Sequence, residues 1–239
     1  MIRAVFLDVG NTLLSCDPPV ARVYARSFAR HGLAAPDDEV RRALGATWSE
    51  VARAFLSGEE RWGGPGGEEG FWRRFVSAVF RRSGGGELPD GLLEELVAHF
   101  ADERNWAVFP EVEESLRALK ARGLRLSVVS NWDSTLPSLL SRLGLDRHFD
   151  EVVVSALVGA SKPGPAIFEE ALRRAGVAPG EALHVGDSLL EDYHGARAAG
   201  LLSLLLDRDG TAPEGVESIP SLASLAGRLD GAARPGLCP

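Results

Sequence analysis

The chain is poor in cysteine, methionine, tyrosine and, above all, lysine. Two cysteines among 239 residues, Cys16 and Cys238, supply neither a disulfide framework nor a zinc-ligand cluster, and a reducing compartment is the simple expectation. No run of 18 apolar residues occurs, which argues against a membrane-spanning helix. The first residues also lack the long apolar stretch of a secretory leader, so a cytoplasmic location is expected. Positive charge is in deficit: 26 basic against 34 acidic side chains leave a net charge of -8. Neither nucleic acid nor a membrane is expected as a partner, and a small molecule bound at a local cationic site is.

The lysine shortage is informative in itself. Of the 26 basic residues only Lys120 and Lys162 are lysine, so a chain that otherwise chooses arginine places an ammonium inside G-A-S-K-P-G-P. An ammonium is a compact point charge and guanidinium a broad planar fork, and a tight anionic site does not accept one for the other. Lys120 lies late in an expected helix, where a cation complements the helix dipole.

What the chain does have is 45% hydrophobic and 25% charged residues, enough for one large domain or a core with an insertion. Its first residues read I-R-A-V-F-L-D-V-G-N-T. Ala4, Val5, Phe6 and Leu7 form a continuous apolar run, the pattern of a parallel strand buried on both faces, and it stops at Asp8. Asp8 is either a turn cap or a reactive carboxylate, because ligands of open α/β sheets bind beyond the C-terminal ends of the strands. Gly10 and Asn11 follow as turn formers, and Thr12 offers a hydroxyl.

Residues 17–104 read as all-helical, with helices expected over 17–32, 36–56, 71–82 and 89–104 and a glycine-rich loop over 58–70. After Trp106 the rhythm changes. A helix from Pro110 to Gly123 is followed by a strand over 124–129, a helix over 134–143, a strand over 151–154 and a helix over 165–175. A strand over 182–185, a helix over 189–199 and a strand over 201–206 complete the series. Such alternation predicts an α/β fold, a Rossmann-like parallel sheet core with helices on both faces. The helical block interrupts it directly after the first strand. The expected organisation is therefore a core of residues 1–16 and 105–239 with an inserted all-helical cap over 17–104.

The polar residues at the strand ends fall on one edge: Asp8, Ser130 with Asn131, and Asp187, with Lys162 in the loop after a strand and Asp192 a few residues beyond Asp187. Three carboxylates gathered there cannot all ionise against one lysine, so a hard divalent cation is expected, and Mg2+ suits an oxygen-only ligand set. A carboxylate at the centre of such a site can be a covalent nucleophile for phosphoryl transfer.

With these residues in order, the chain resembles the haloacid dehalogenase-like hydrolase superfamily, in the subgroup with a helical cap inserted after the first motif. The first motif matches as Asp8-Val9-Gly10-Asn11-Thr12-Leu13, the second as Ser130-Asn131 and the third as Lys162-Pro163-Gly164-Pro165. The fourth matches as Gly186-Asp187-Ser188-Leu189-Leu190-Glu191-Asp192. The resemblance implies a magnesium-dependent phosphatase of a small phosphorylated metabolite. In it Asp8 forms an aspartyl-phosphate, Lys162 neutralises charge, and Thr12, Ser130 and Asn131 hold the phosphoryl group. Asp8, the backbone carbonyl of Gly10 and Asp187 would bind the metal, with Asp192 behind them orienting Lys162 or metal-bound water. At Gly10 the chain departs from the family, whose phosphatases usually carry a second aspartate there to protonate the leaving alcohol. Proton transfer of that kind is worth on the order of 100-fold to 10,000-fold, and substrates with good leaving groups would mask its loss. A 2-haloacid dehalogenase and a non-catalytic binding protein are the alternative readings, and a homodimer is left open.

Other polar residues take plain readings. His184 is expected to be structural, His31, His99, His148 and His194 to face solvent, and Asp133 to cap the helix after Asn131. Trp132 is read either as a wall of the site or as packing, and Asp17 either as a helix-start cap or as a stand-in for the acid missing at Gly10.

Overall fold

The computed structural model describes residues 1–58 and 66–231. The chain divides into two compact units, Met1–Leu14 with Val108–Pro239, and Ser15–Ala107.

The first unit is built on six strands. Strand β1 (Ala4–Leu7) is wholly buried, as its unbroken apolar sequence requires. Strands β2 (Leu14–Cys16) and β3 (Trp106–Val108), too short for any periodicity to announce them, pair with each other apart from the main sheet. The main sheet is completed by β4 (Arg125–Ser130), β5 (Glu151–Val154), β6 (Ala182–Gly186), β7 (Leu202–Leu206) and β8 (Ser218–Ile219). The order is β5-β4-β1-β6-β7-β8, every pairing parallel. Hence β1 lies at the centre, and the ends of β1, β4 and β6 open on the same edge.

One face of the sheet buries Ala4, Phe6, Val129, Val153 and Ala182 against Ile167, Phe168 and Ala171 of the helix Pro165–Ala175. That helix starts with Pro165 in its first turn and stops at Gly176 in the left-handed conformation. Register sets Ser127, Phe6, His184 and Ser203 side by side on neighbouring strands, so all four share this face.

The second unit contains four α-helices among its described residues: Val20–Arg30, Asp37–Ser57, Gly67–Arg82 and Leu92–Ala101. Tyr24, Phe28, Val40, Leu44, Phe75, Val79, Phe80 and Leu96 meet in one core, with Phe28 set edge to face against Phe80 at 5.0 Å between ring centres. Of the loop expected over 58–70, residues 59–65 lie outside the described residues. Residues 67–70 already form the first turn of the third helix, where Glu68 and Glu69 complement the helix dipole.

Two local expectations are corrected. His148 is buried, and His31 is only partly exposed, with its Nε2 3.2 Å from Glu95. The single helix expected over 189–199 begins with a π-wound segment, Leu189–His194, before the α-helical turn Gly195–Ala198. There the amides of both Asp192 and Tyr193 donate to the carbonyl of Ser188, at 3.0 and 3.1 Å, widening the turn.

Candidate active site

Asp8 follows β1 directly, and its amide donates to the carbonyl of Val185 at 3.0 Å, tying the ends of β1 and β6 together. Its carboxylate faces the ammonium of Lys162 at 2.6 Å, and the same ammonium donates to Asp192 at 2.5 Å. Lys162 is 1% exposed and Asp192 is 1% exposed, so this is an ion triad taken out of water. Carboxylate oxygens of Asp8, Asp187 and Asp192 lie within 4.8 Å of one another.

The geometry around the triad explains several motif residues. A side chain at Gly186 would put its Cβ 2.2 Å from the Asp192 carboxyl carbon, and one at Gly195 would come within 2.9 Å of Pro163, so both positions need glycine. Asp192 is held from three sides. Lys162 and the Nε2 of His184 both bond Oδ1, the latter at 2.8 Å, and the amide of Ser188 donates to Oδ2 at 3.0 Å. Asn11, with φ at 51°, takes the left-handed turn conformation that asparagine tolerates and donates its side-chain amide to Asp187 at 3.2 Å.

Electrostatics separate the acids. Burial, opposed by Lys162 and reinforced by Asp192, pushes Asp8 above the usual carboxylate range. Burial together with the charges of Asp8 and Asp192 pushes Asp187 up to about 8, against the Asn11 hydrogen bond and Lys162. Burial works against Asp192 too, yet Lys162 and the hydrogen bond from His184 hold it well below the ordinary value. Lys162 is raised: burial would lower it, but Asp192 and Asp8 outweigh that. One ammonium thus bonds two of the three acids, Asp8 and Asp192, and Asp187 is the one left needing a counter-charge. A divalent cation fits that deficit, and the donor set is all oxygen.

Asn131 and Thr12, two of the expected phosphate ligands, have these surroundings. The side chain of Asn131 is committed to protein partners, its amide donating to the Lys162 carbonyl at 2.8 Å and to Glu191 at 3.0 Å while its oxygen accepts from the Lys162 amide at 2.8 Å. It straps the lysine loop to β4. The Thr12 side chain is fully buried, its hydroxyl without a hydrogen-bond partner among the described residues. Ser130, at the end of β4, instead offers a hydroxyl that supports the ionised form of Asp8.

Gly10 has open space. Among the described residues a Cβ there would meet the ring of Trp132, at an ordinary 3.7 Å, so Trp132 forms the wall beside the side chain that is missing. Asp133 accepts from the Thr135 amide at 3.0 Å and caps the turn that follows. Lys120, the other lysine, binds both oxygens of Asp150 at 2.7 Å and takes no part in the site.

Sequence reasoning missed three contributors. Glu191, pushed up to about 7 by burial against the pull of Lys162, backs Asn131. Its place beside Asp192 was the available signal. Arg208 donates to the carbonyls of Asn11 at 3.1 Å and Thr12 at 2.9 Å, pairs with Glu111 at 2.7 Å and lies over the Phe109 ring at 3.6 Å. Nothing in its sequence neighbourhood announces that. His184, read as structural, is bonded to an acid of the site.

A family profile described as haloacid dehalogenase-like hydrolase matches residues 2–200. The mouse haloacid dehalogenase-like hydrolase domain-containing protein 3 is 36% identical over 245 residues, covering 96% of this chain and 94% of that protein. A phosphoserine phosphatase from Thermus thermophilus is 35% identical over 225 residues, covering 92% and 87%. Among solved structures, a HAD phosphatase from Thermococcus onnurineus superposes with a TM-score of 0.65 at 28% identity, covering 96% of this chain and 99% of that one. Four motifs in order, three of them at strand ends of a parallel sheet, and relatives matched over nearly their whole length, agree: the chain is an enzyme of the haloacid dehalogenase-like hydrolase family.

Proposed function

We propose that the protein is a magnesium-dependent phosphoric-ester hydrolase that acts on a small phosphorylated metabolite through an aspartyl-phosphate at Asp8. The observation that carries this reading is the charge imbalance: three carboxylates within 4.8 Å of one another and one buried ammonium between two of them. Asp8, the Gly10 carbonyl and Asp187 would hold Mg2+, which supplies the positive charge that lets Asp8 ionise and a phosphate approach it. Asp8 attacks phosphorus, the bond from phosphorus to the leaving oxygen breaks, and water then attacks phosphorus to free Asp8. Lys162 offsets charge on Asp8 and on the transferred group, and Ser130 offers its hydroxyl to the phosphoryl oxygens. Asp192 holds Lys162, and Asn131 holds the loop that carries it. The helical unit takes the part of the cap, and with it the choice of substrate.

With no side chain at Gly10, no protein acid stands on the β1 loop to protonate the leaving group. The favoured substrates are therefore acyl or aryl phosphates, whose leaving groups depart as anions, and the phosphoserine phosphatase among the relatives supports phosphoryl chemistry in general. Hydrolysis of p-nitrophenyl phosphate with and without Mg2+ tests the reading. Turnover that needs the metal is expected; chloride release from a 2-haloacid without metal, or no turnover of either compound, contradicts it.

A further inference from the structure

His184 lies on β6, fully buried, two residues before the end of the strand and eight before Asp192. Its ring stands edge to face against Phe168, 5.2 Å between centres, which fixes the ring plane. Nε2 sits 2.8 Å from the Asp192 oxygen that also binds Lys162, and Nδ1 is buried with no partner among the described residues. The neighbour in register on β7 is Ser203, whose buried hydroxyl is likewise without a partner. These observations select a tautomer. With the proton on Nε2, the ring donates to Asp192 and leaves an acceptor at Nδ1. With the proton on Nδ1, a buried N–H would have no acceptor, and the Nε2 lone pair would face a carboxylate oxygen.

We propose that His184 is a positioning residue for the reaction: as the neutral Nε2–H tautomer it fixes Asp192, and through Asp192 it fixes the Lys162 ammonium against Asp8. The need is geometric. The Lys162 ammonium hangs on a flexible four-carbon stem between two acids, and if Asp192 rotates, the ammonium follows it away from the nucleophile. Ser188 anchors the other Asp192 oxygen, so His184 and Ser188 together leave the carboxylate one orientation.

The kinetic part of this inference rests on the proposed phosphatase reading, and the test has an arm that does not. In the wild-type protein, nitrogen-15 NMR of labelled histidine is expected to show His184 as neutral with the proton on Nε2. A doubly protonated ring or a proton on Nδ1 would overturn the proposal whether or not any phosphate is turned over. The kinetic arm compares His184→Gln, whose amide nitrogen reaches the place of Nε2, with His184→Asn, whose amide stops at the place of Nδ1. With p-nitrophenyl phosphate and Mg2+, kcat of H184N is expected to fall about 30-fold at unchanged KM, while H184Q retains kcat within about 5-fold. Equal losses in two variants that melt at similar temperatures, or no loss in either, would count against positioning. If the wild type turns over nothing, the functional reading fails and the NMR arm alone decides the proposal.

Discussion

At the scale of single residues, the site is three acids competing for one ammonium. Asp8→Asn keeps the shape of the nucleophile and removes its reactivity, so the fold should persist while turnover falls by at least about 1,000-fold, measured by steady-state kinetics alongside a thermal melt. Lys162→Arg preserves charge but asks a planar fork to occupy a pocket in which the lysine is 1% exposed. A loss of kcat of about 100-fold or more together with a lowered melting temperature is expected. Gly10→Asp adds a carboxyl where, among the described residues, a Cβ meets Trp132 at 3.7 Å, so it should be accommodated. It should raise turnover of alkyl phosphates by roughly 10-fold or more and leave aryl phosphates nearly unchanged; equal effects on both would contradict the vacant-acid argument.

Glu191 gives a prediction about pH. Burial raises its carboxyl from an ordinary 4.5 to about 7, so between those limits the folded protein holds a proton that the unfolded chain has released. Native protein binds more protons there, and this group's contribution to stability falls as pH rises. Glu191→Gln should flatten the decline by on the order of 1 kcal/mol between pH 5 and 8, a figure kept small because the side chain is only half-buried. Urea unfolding at the two pH values measures it.

At the scale of elements, the strands that carry the site were legible and their connections less so. The run Ala4–Leu7 reads as a strand because a parallel strand covered on both faces has no polar side to show. The Asp8, Ser130 and Asp187 positions follow from that, since each sits at a strand end. The π-wound turn Leu189–His194 was not legible, because its side chains keep a helical rhythm and only the hydrogen bonds around Ser188 and Asp192 distinguish it. The protein partners of Asn131 were not legible, because sequence places a residue without showing which partner its polar atoms find. Arg208 stayed hidden for the same reason, reaching back across 196 residues to the Thr12 carbonyl. Gly186 is the element-scale test. Gly186→Ala sets a methyl 2.2 Å from the Asp192 carboxyl and must displace that acid or bend β6. We expect a loss of about 2–3 kcal/mol in stability and a fall in kcat, read from unfolding curves and kinetics.

At the scale of the whole molecule, the change from an all-helical stretch to strand-helix alternation marked two units. The helical unit Ser15–Ala107 has a core of its own, built around Phe28, Phe75 and Phe80. What that unit binds was not legible, since amphipathic spacing reports which side chains pack inward and says nothing of a ligand. In the sheet unit, the acids that lower stability when crowded together are the groups a dication would relieve. Mg2+ at 100 times its dissociation constant should therefore stabilise the protein by about 2.7 kcal/mol, seen as a raised melting temperature that EDTA reverses. The most direct test of the central claim is to quench the protein in acid during turnover of an aryl phosphate and map the phosphoryl group by mass spectrometry. A magnesium-dependent phosphoryl group on the peptide containing Asp8, absent in Asp8→Asn, is the predicted result; a phosphoryl group elsewhere, or none during rapid turnover, would contradict the account.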